Sequence, residues 1–296
     1  MDSKPLYLSF DVGGTTIKYA LLSNDNKLYE YHSVPTNKNY DSHILTTLKQ
    51  VCIDLMKCYN IHAIGVSTAG IVDTTLGEIK YANPLIPNYT GTKIKATLEE
   101  ATELPVSVIN DVQAALLGEV WQQQLPPKTF CLTLGTGIGG AFLNHEDLYV
   151  GAHNYENSIG YLNYDKNTDT YWEQRASTIA LEKQLTKNFN VSVPEAFDYA
   201  RSGQDVFVTI IDEWINEIAK GISSIVLLFD PHTILIGGGV SKQNDYILPI
   251  LTEKVNALLP PDFLSVSFKT PSSFNNNALI GAVYPFLNPK KEANSC

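Results

Sequence analysis

Two short segments set glycine beside threonine between stretches that read as β-strands: DVGGTTIK (Asp11–Lys18) and LGTGIGGA (Leu134–Ala141). Glycine accepts positive φ and has no side chain to block approach, so successive amides in such a turn can point together at an anion. Two turns of this kind can grip one polyphosphate. Thr15, Thr136 and the amides of Gly13, Gly14, Gly137 and Gly139 would then meet phosphate oxygens, while Asp11 holds Mg²⁺ through water. Taken singly, each string is also an ordinary hairpin turn. GTGIGG is not followed by a helix but by a second strand at Ala141–Leu143, and no G-K-[ST] closes it, so neither the dinucleotide fingerprint nor a Walker loop fits.

These residues need particular elements to position them. Leu6–Phe10 and Ile17–Leu22 read as two strands of a hairpin, and Phe130–Leu134 with the strand after Gly140 repeats the scheme. Aligned, LSFDVGGTTIKYALL (8–22) and FCLTLGTGIGGAFLN (130–144) share strand, Gly/Thr turn and strand, which implies a duplicated domain. From Ser42, taken as the cap, Ile44, Leu45, Leu48, Val51, Cys52, Leu55 and Met56 fall at helical spacing. Strand Ile61–Val66 leads into the turn Ser67–Gly70, a helix near Thr92–Thr102 precedes strand Val106–Ile109, and a helix then runs through Trp121. This alternation predicts an α/β fold with mainly parallel sheets. Asn110 and Asp111 lie at the carboxyl end of a strand, where such sheets bind ligands; the pair also reads as a helix cap. A long amphipathic helix spans Asp205–Phe229, followed by strand Ile234–Ile236, the turn Gly237–Gly239 and a last helix from about Asn276.

Composition narrows the function. The chain has 296 residues, room for two domains, with 44% hydrophobic and 18% charged residues. A net charge of −10 opposes nucleic-acid binding. No basic-then-apolar leader and no spanning apolar run is visible, so a cytoplasmic protein with no membrane partner is expected. Cys52, Cys58, Cys131 and Cys296 are scattered without a C-x-x-C pair, which reads as reduced structural thiols.

DVGGTTIK, IND (Ile109–Asp111), LGTGIGGA, LFDPHTILIGGGV (Leu228–Val240) and ALIGAVY (Ala278–Tyr284) occur in an order and spacing that resembles the repressor/ORF/kinase (ROK) family of sugar kinases across nearly the whole chain. The resemblance implies two actin-like, ribonuclease H-like domains with an ATP/sugar cleft between them. Their expected extents are 1–111, joined by a C-terminal helix at about 285–296, and 112–284. It implies ATP and Mg²⁺ as cofactors, Asp111 as the base that accepts the sugar hydroxyl's proton, and phosphorylation at the 6-hydroxyl. Lys18 joins the ATP-binding set, adenosine falls near Gly238 and Gly239, and sugar contacts fall at Gly70, Asn110 and Glu173. Glu173 is placed through WEQRAST (Trp172–Thr178), and also reads as a solvated acid at a helix N-terminus. Asn83, in preference to Asn88, is a further sugar contact, and the family's habit implies a homodimer.

The chain departs from the family's pattern at one place. Many members carry a G-E-x-G-H segment and a cysteine loop that bind zinc and sugar; here Ser158 stands at the Glu position, Tyr161 at the His position, and the cysteine loop is missing. No zinc site of that kind is expected. Losing a charged pair that grips the C1–C2 end of the sugar favours a substituted sugar, since demand for a hydroxyl comes from groups otherwise left unpaired. A β-glucoside is therefore the first substrate expectation, with N-acetylmannosamine or glucose next. Tyr155 and Tyr161 suit a second ring or only pack their loop. The alternatives are a weakly catalytic sugar-binding protein and a sugar-responsive regulator. The latter would resemble members with an N-terminal helix-turn-helix, which the strand at Leu6 and the acidic charge oppose.

Overall fold

The computed structural model describes residues 5–25, 27–82, 86–263, 266–272 and 276–288. The chain divides into two compact units, Met1–Gln124 with Gly151–Tyr155 and Asn275–Cys296, and Leu125–Val150 with Glu156–Phe274.

In the first unit, β1 (Leu6–Val12), β2 (Thr16–Ser23) and β3 (Leu28–Pro35) form an antiparallel meander. Helix α1 (His43–Met56) carries the chain to β4 (Ile61–Thr68), which pairs parallel with β1. A small hairpin, β5 (Ile71–Asp73) and β6 (Glu78–Tyr81), precedes α2 (Ile94–Thr102), β7 (Val106–Asn110) and α3 (Asp111–Gln122). The sheet order is β3-β2-β1-β4-β7. Period-two alternation sends Leu8, Phe10 and Val12 into a core with Ile44, Leu48 and Cys52 of α1 and Ile94 and Leu98 of α2.

Ser42 does not cap α1. It sits at φ 57°, whereas a side-chain cap uses an extended residue, and it makes no capping bond. The buried Asn39 does this work: its Oδ1 accepts from the Ile44 amide at 3.1 Å, and its Nδ2 donates to the carbonyls of Pro87 and Asn88.

The second unit repeats the plan. β8 (Thr129–Leu134), β9 (Ile138–Asn144) and β10 (Asp147–Leu148) form the meander. After α4 (Trp172–Ala176), α5 (Thr178–Phe189), α6 (Val193–Arg201) and α7 (Asp205–Phe229) come β11 (Thr233–Gly237), α8 (Asn244–Leu258) and β12 (Ser267–Lys269). β11 runs parallel to both β8 and β12, giving the order β10-β9-β8-β11-β12. Both sheets are therefore mixed, not mainly parallel. A short Gly/Thr turn can only return the chain antiparallel, and only the helical crossovers supply parallel partners.

Helices α9 (Asn277–Ala282) and α10 (Tyr284–Leu287) belong to the first unit. They cover the face of its sheet opposite α1, where the alternating residues are Tyr7, Ser9, Ala63, Gly65 and Ser107. Small side chains let α9 approach backbone to sheet. Ser9 Oγ donates to the Leu279 carbonyl at 2.5 Å and Ser107 Oγ to the Ala282 carbonyl at 2.7 Å, and a Cβ on Gly65 would collide with Ala282. α3 packs on α9 as closely: a Cβ on Gly281 would overlap the Ala114 carbonyl, and one on Gly118 the Asn277 carbonyl. This packing keeps α3 in the first unit, so the change of unit comes after Gln124, later than the Asp111 boundary expected above. The segment returning to the first unit starts at Asn275 and not near 285, its first helix at Asn277, and residues 289–296 lie outside the described residues.

Gly281→Ala should therefore cost about 2–3 kcal/mol, as overpacking at a backbone contact does. Chemical denaturation should show a lowered midpoint for the first unit; an unchanged midpoint would show that α9 can step back from α3.

Candidate active site

The first cluster forms where β7 gives way to α3. Asn110 is the N-cap: its Oδ1 accepts from the amides of Val112 at 2.9 Å and Gln113 at 3.4 Å. Its Nδ2 donates to the Gly70 carbonyl and to Asp111 Oδ1, both at 2.9 Å. Buried Asn110 thus has both donors and its acceptor committed inside the protein. Gly70 holds φ +104°, and a Cβ there would press on the Tyr81 carbonyl at 2.6 Å. That backbone suits glycine alone.

Asp111 is half-buried in the first turn of α3, and Val112 N also donates to its Oδ1, at 2.9 Å. Burial first, and the negative charge of Asp11 second, push its carboxyl up to about 6 against the lowering effect of these donors. Asp11, next to last in β1, lies in register with Ser67 of β4, whose hydroxyl donates to its Oδ1 at 3.1 Å. Lys18, its partner across the β1–β2 hairpin, brings Nζ to 3.6 Å from Oδ2. Burial raises the Asp11 carboxyl too, opposed by Lys18 and Ser67.

The turn beyond Asp11 is pinned from one side. Gly13 N donates to the Thr16 carbonyl, Thr36 Oγ1 to the Gly13 carbonyl and Thr36 N to the Thr15 carbonyl, each at 2.9 Å. Gly14 and Thr15 are exposed, their amides donate to no group among the described residues, and a Cβ on Gly14 would meet nothing within 4 Å. Two adjacent exposed amides without an acceptor among the described residues are the kind of donor pair an anion needs.

The second unit builds a turn of the same sort. Gly135 N donates to the Gly137 carbonyl at 3.0 Å, Thr178 Oγ1 to the Leu134 carbonyl at 2.8 Å and Ile179 N to the Gly135 carbonyl at 3.3 Å. The amides of Thr136 and Gly137 donate to no group among the described residues. Gly139 lies in β9, past the turn itself. Gly238, at φ +97°, packs on this turn so closely that a Cβ would overlap the Leu134 carbonyl, while Gly239 faces open space. The turns at 135–137 and 237–239 are therefore one surface.

Glu173 is not a freely solvated acid. Its Oε2 accepts from Ile138 N at 3.2 Å and lies wedged between two glycines, since a Cβ on Gly137 or on Gly160 would approach it to 2.6 Å. Ser158, half-buried, precedes the 3₁₀ turn Ile159–Tyr161 beside that carboxylate.

The structure thus gathers Asp11, Gly13, Gly14, Thr15, Lys18, Gly70, Asn110 and Asp111 in the first unit, and Thr136, Gly137, Gly139, Ser158, Glu173, Gly238 and Gly239 in the second. Asn83 lies outside the described residues; Asn88 is exposed, and its carbonyl takes the bond from Asn39. Tyr155, 63% exposed, lies tilted against the ring of His153 in the segment assigned to the first unit. Thr36, Ser67 and Thr178 were missed, because each acts through a partner remote in sequence. Among the described residues no three His, Cys, Asp or Glu side chains gather, and no helix is long and apolar enough to cross a membrane.

Comparison with known proteins finds relatives along nearly the whole chain. A β-glucoside kinase of Klebsiella pneumoniae is 30% identical over 94% of this chain and 95% of its own length. A glucokinase of Halalkalibacterium halodurans is 26% identical, over 93% of each chain. The crystal structure of a ROK hexokinase from Thermus thermophilus superposes with a TM-score of 0.79 at 25% identity, covering 94% of this chain and 97% of that one. The fold is thus that of the actin-like sugar kinases. The ROK family model matches residues 7–288, and the chain belongs to the ROK family.

Proposed function

We propose that this protein is an ATP-dependent sugar kinase that moves the γ-phosphoryl group onto a hydroxyl of a hexose or hexoside, the 6-hydroxyl by its resemblance to the family. The observation that carries the reading is Asp111: a carboxylate at a strand end, held by Asn110 and Val112, whose proton affinity is set near neutral pH. A base is most useful when its pKa lies near the working pH.

In this reading the sugar oxygen attacks the γ-phosphorus, its proton passes to Asp111, the new phosphorus–oxygen bond forms and the bond to the β-phosphate oxygen breaks, releasing ADP. Phosphoryl transfer is mostly positioning and charge neutralisation, so a single base with fixed anion donors suffices for the chain's share. The amides of Gly14, Thr15, Thr136 and Gly137 are the donors for phosphate oxygens, and Gly238 and Gly239 offer a glycine surface for the adenosine. Asp11, with Ser67 and Lys18 on its two oxygens, fits a Mg²⁺ ion held through water, and that ion supplies neutralisation of phosphate charge. Glu173 and Ser158 meet the sugar. Asn110 acts mainly by positioning Asp111, because its amide is already engaged.

The substrate reading is a β-glucoside first, then N-acetylmannosamine or glucose. It is supported by Ser158 and Tyr161 at the positions that would hold a free C1–C2 end, and by similarity to a β-glucoside kinase. A coupled ADP-release assay across aryl β-glucosides, cellobiose, glucose and N-acetylmannosamine should rank the glucosides highest by kcat/KM. A clear preference for free glucose would reject the substrate reading, and ADP release no faster than in an Asp111→Asn control on every sugar would reject the kinase.

Asp111→Asn keeps the acceptor that receives the Asn110 and Val112 bonds and removes the base, so kcat should fall by about 10²–10⁴-fold. The same change should stabilise the fold. Because the folded carboxyl titrates near 6 against an ordinary 3.8, stability drops as pH rises from about 4 to about 6 and the penalty is complete above that. The variant should therefore gain up to about 3 kcal/mol at pH 7 and nothing below about pH 4, measured by denaturation at both pH values. Loss of stability at pH 7 would show that the charge is held by partners stronger than those named.

The same titration gives the rate an acid limb. Protonated Asp111 cannot accept a proton, so kcat should fall about tenfold for each pH unit below about 6. A rate constant that stays flat down to pH 4.5 would remove Asp111 from the role of base.

A further inference from the structure

Three tyrosines share one surface excursion of the second unit, and two of them, Tyr164 and Tyr171, take no part in the chemistry above. After Ser158 the chain passes through the 3₁₀ turn Ile159–Tyr161, then a small hairpin in which Asp165 and Thr170 exchange backbone bonds at 2.8 and 3.2 Å, and enters α4. The rings of Tyr161 and Tyr171 meet edge to face at 5.2 Å, and Tyr171 meets Tyr164 at 5.2 Å. They are 41%, 41% and 52% exposed for Tyr161, Tyr171 and Tyr164. Aromatic rings are the largest apolar groups a surface can bury, so three touching rings left open to water are a ready contact surface.

The excursion is held rigid from beneath. Arg175 donates through Nη1 to the Thr170 carbonyl at 2.7 Å and to Thr170 Oγ1 at 2.9 Å, through Nη2 to the Asn163 carbonyl at 2.7 Å, and through Nε to Glu217 Oε2 at 2.9 Å. Buried Trp172 donates Nε1 to the Glu217 carbonyl at 2.7 Å, and Tyr164 OH donates to Asp169 at 2.6 Å. One guanidinium thus ties both ends of the hairpin to α7, and a ligand need not order the rings on arrival.

Their place indicates the ligand. Tyr161 directly follows Gly160, against which Glu173 is wedged, and Tyr171 stands two residues before Glu173. The rings therefore begin at the rim of the residues assigned to the sugar, and a sugar ring gripped there would direct its substituent along the protein surface. We infer that Tyr161 and Tyr171, backed by Tyr164, are a stacking platform for the ring carried on C1 of a glycoside substrate, an aglycone or a second pyranose. The inference rests on the sugar-kinase reading. Both kinds of ring offer C–H groups and a flat face to an aromatic surface, whereas free glucose offers nothing at that distance.

The test compares wild type, Tyr171→Ala and Tyr171→Phe on phenyl β-glucoside, cellobiose and glucose, with calorimetric binding of the same sugars in the absence of ATP. Loss of one stacking ring should raise KM for phenyl β-glucoside and cellobiose about tenfold, leave kcat within about twofold, and leave glucose unchanged. Tyr171→Phe should behave as wild type, because the ring and not the hydroxyl does the binding. A loss confined to phenyl β-glucoside supports the platform and assigns it to aromatic aglycones. Equal losses on all three sugars, or none on any, would overturn it. Should wild type phosphorylate no sugar, the kinase reading fails by itself; the platform then stands or falls on calorimetry, standing if phenyl β-glucoside binds more tightly than glucose and Tyr171→Ala abolishes the difference, falling otherwise.

Discussion

The side-chain amide of Asn110 ties three things that would otherwise be independent. Its oxygen starts α3, one N–H fixes the loop after β4 through Gly70, and the other orients the carboxylate of its neighbour. A buried amide with all its partners satisfied is rigid, because losing any one leaves a polar group dry. The helix start, the strained glycine and the Asp111 carboxylate therefore share one geometry. The proton affinity of Asp111 follows from it: the group is withdrawn from water far enough to resist ionising, yet it is supplied with donors enough to be a carboxylate near neutrality.

The two units solve one problem by different local means. Each has to keep adjacent amides of a tight turn away from the protein's own acceptors while preventing the turn from collapsing. In the first, Thr36 reaches in from β3's end and takes two carbonyls of the turn. In the second, Thr178 and Ile179 take the carbonyls, and Glu173 occupies the Ile138 amide next along. In both, the carbonyls are tied down behind while the amides stay in front. That division of labour is what backbone chemistry permits, since each peptide offers one donor and one acceptor on opposite sides.

Much of this was legible in the residues. The paired Gly/Thr turns, the strand flanking each, helix Asp205–Phe229 and the position of Asn110–Asp111 all rest on local patterns of spacing, and those patterns survive in the fold. What escaped was carried by distant partners. Nothing near Ser42 reveals that Asn39 would cap α1 while also holding the carbonyls of Pro87 and Asn88. Mixed sheets could have been foreseen from the two hairpins, had their turns been weighed against the helical crossovers. The wedge of Glu173 between Gly137 and Gly160 joins three segments that no window of sequence contains, and so does the grip of Arg175 on the hairpin below the tyrosines.

The seat of α9 carries a consequence for the order of assembly. Ser9, within the first strand, donates to the carbonyl of Leu279, 270 residues further on. Its neighbours on that face, Gly65 and Ser107, are small because a helix backbone must lie on them, so no side chain of the sheet can substitute for the absent helix. On a ribosome, one face of the first unit's sheet therefore stays uncovered until α9 has emerged, whereas the strands and helices described for the second unit, ending with β12 at Lys269, are available earlier. The half that is made first is the half that is finished last.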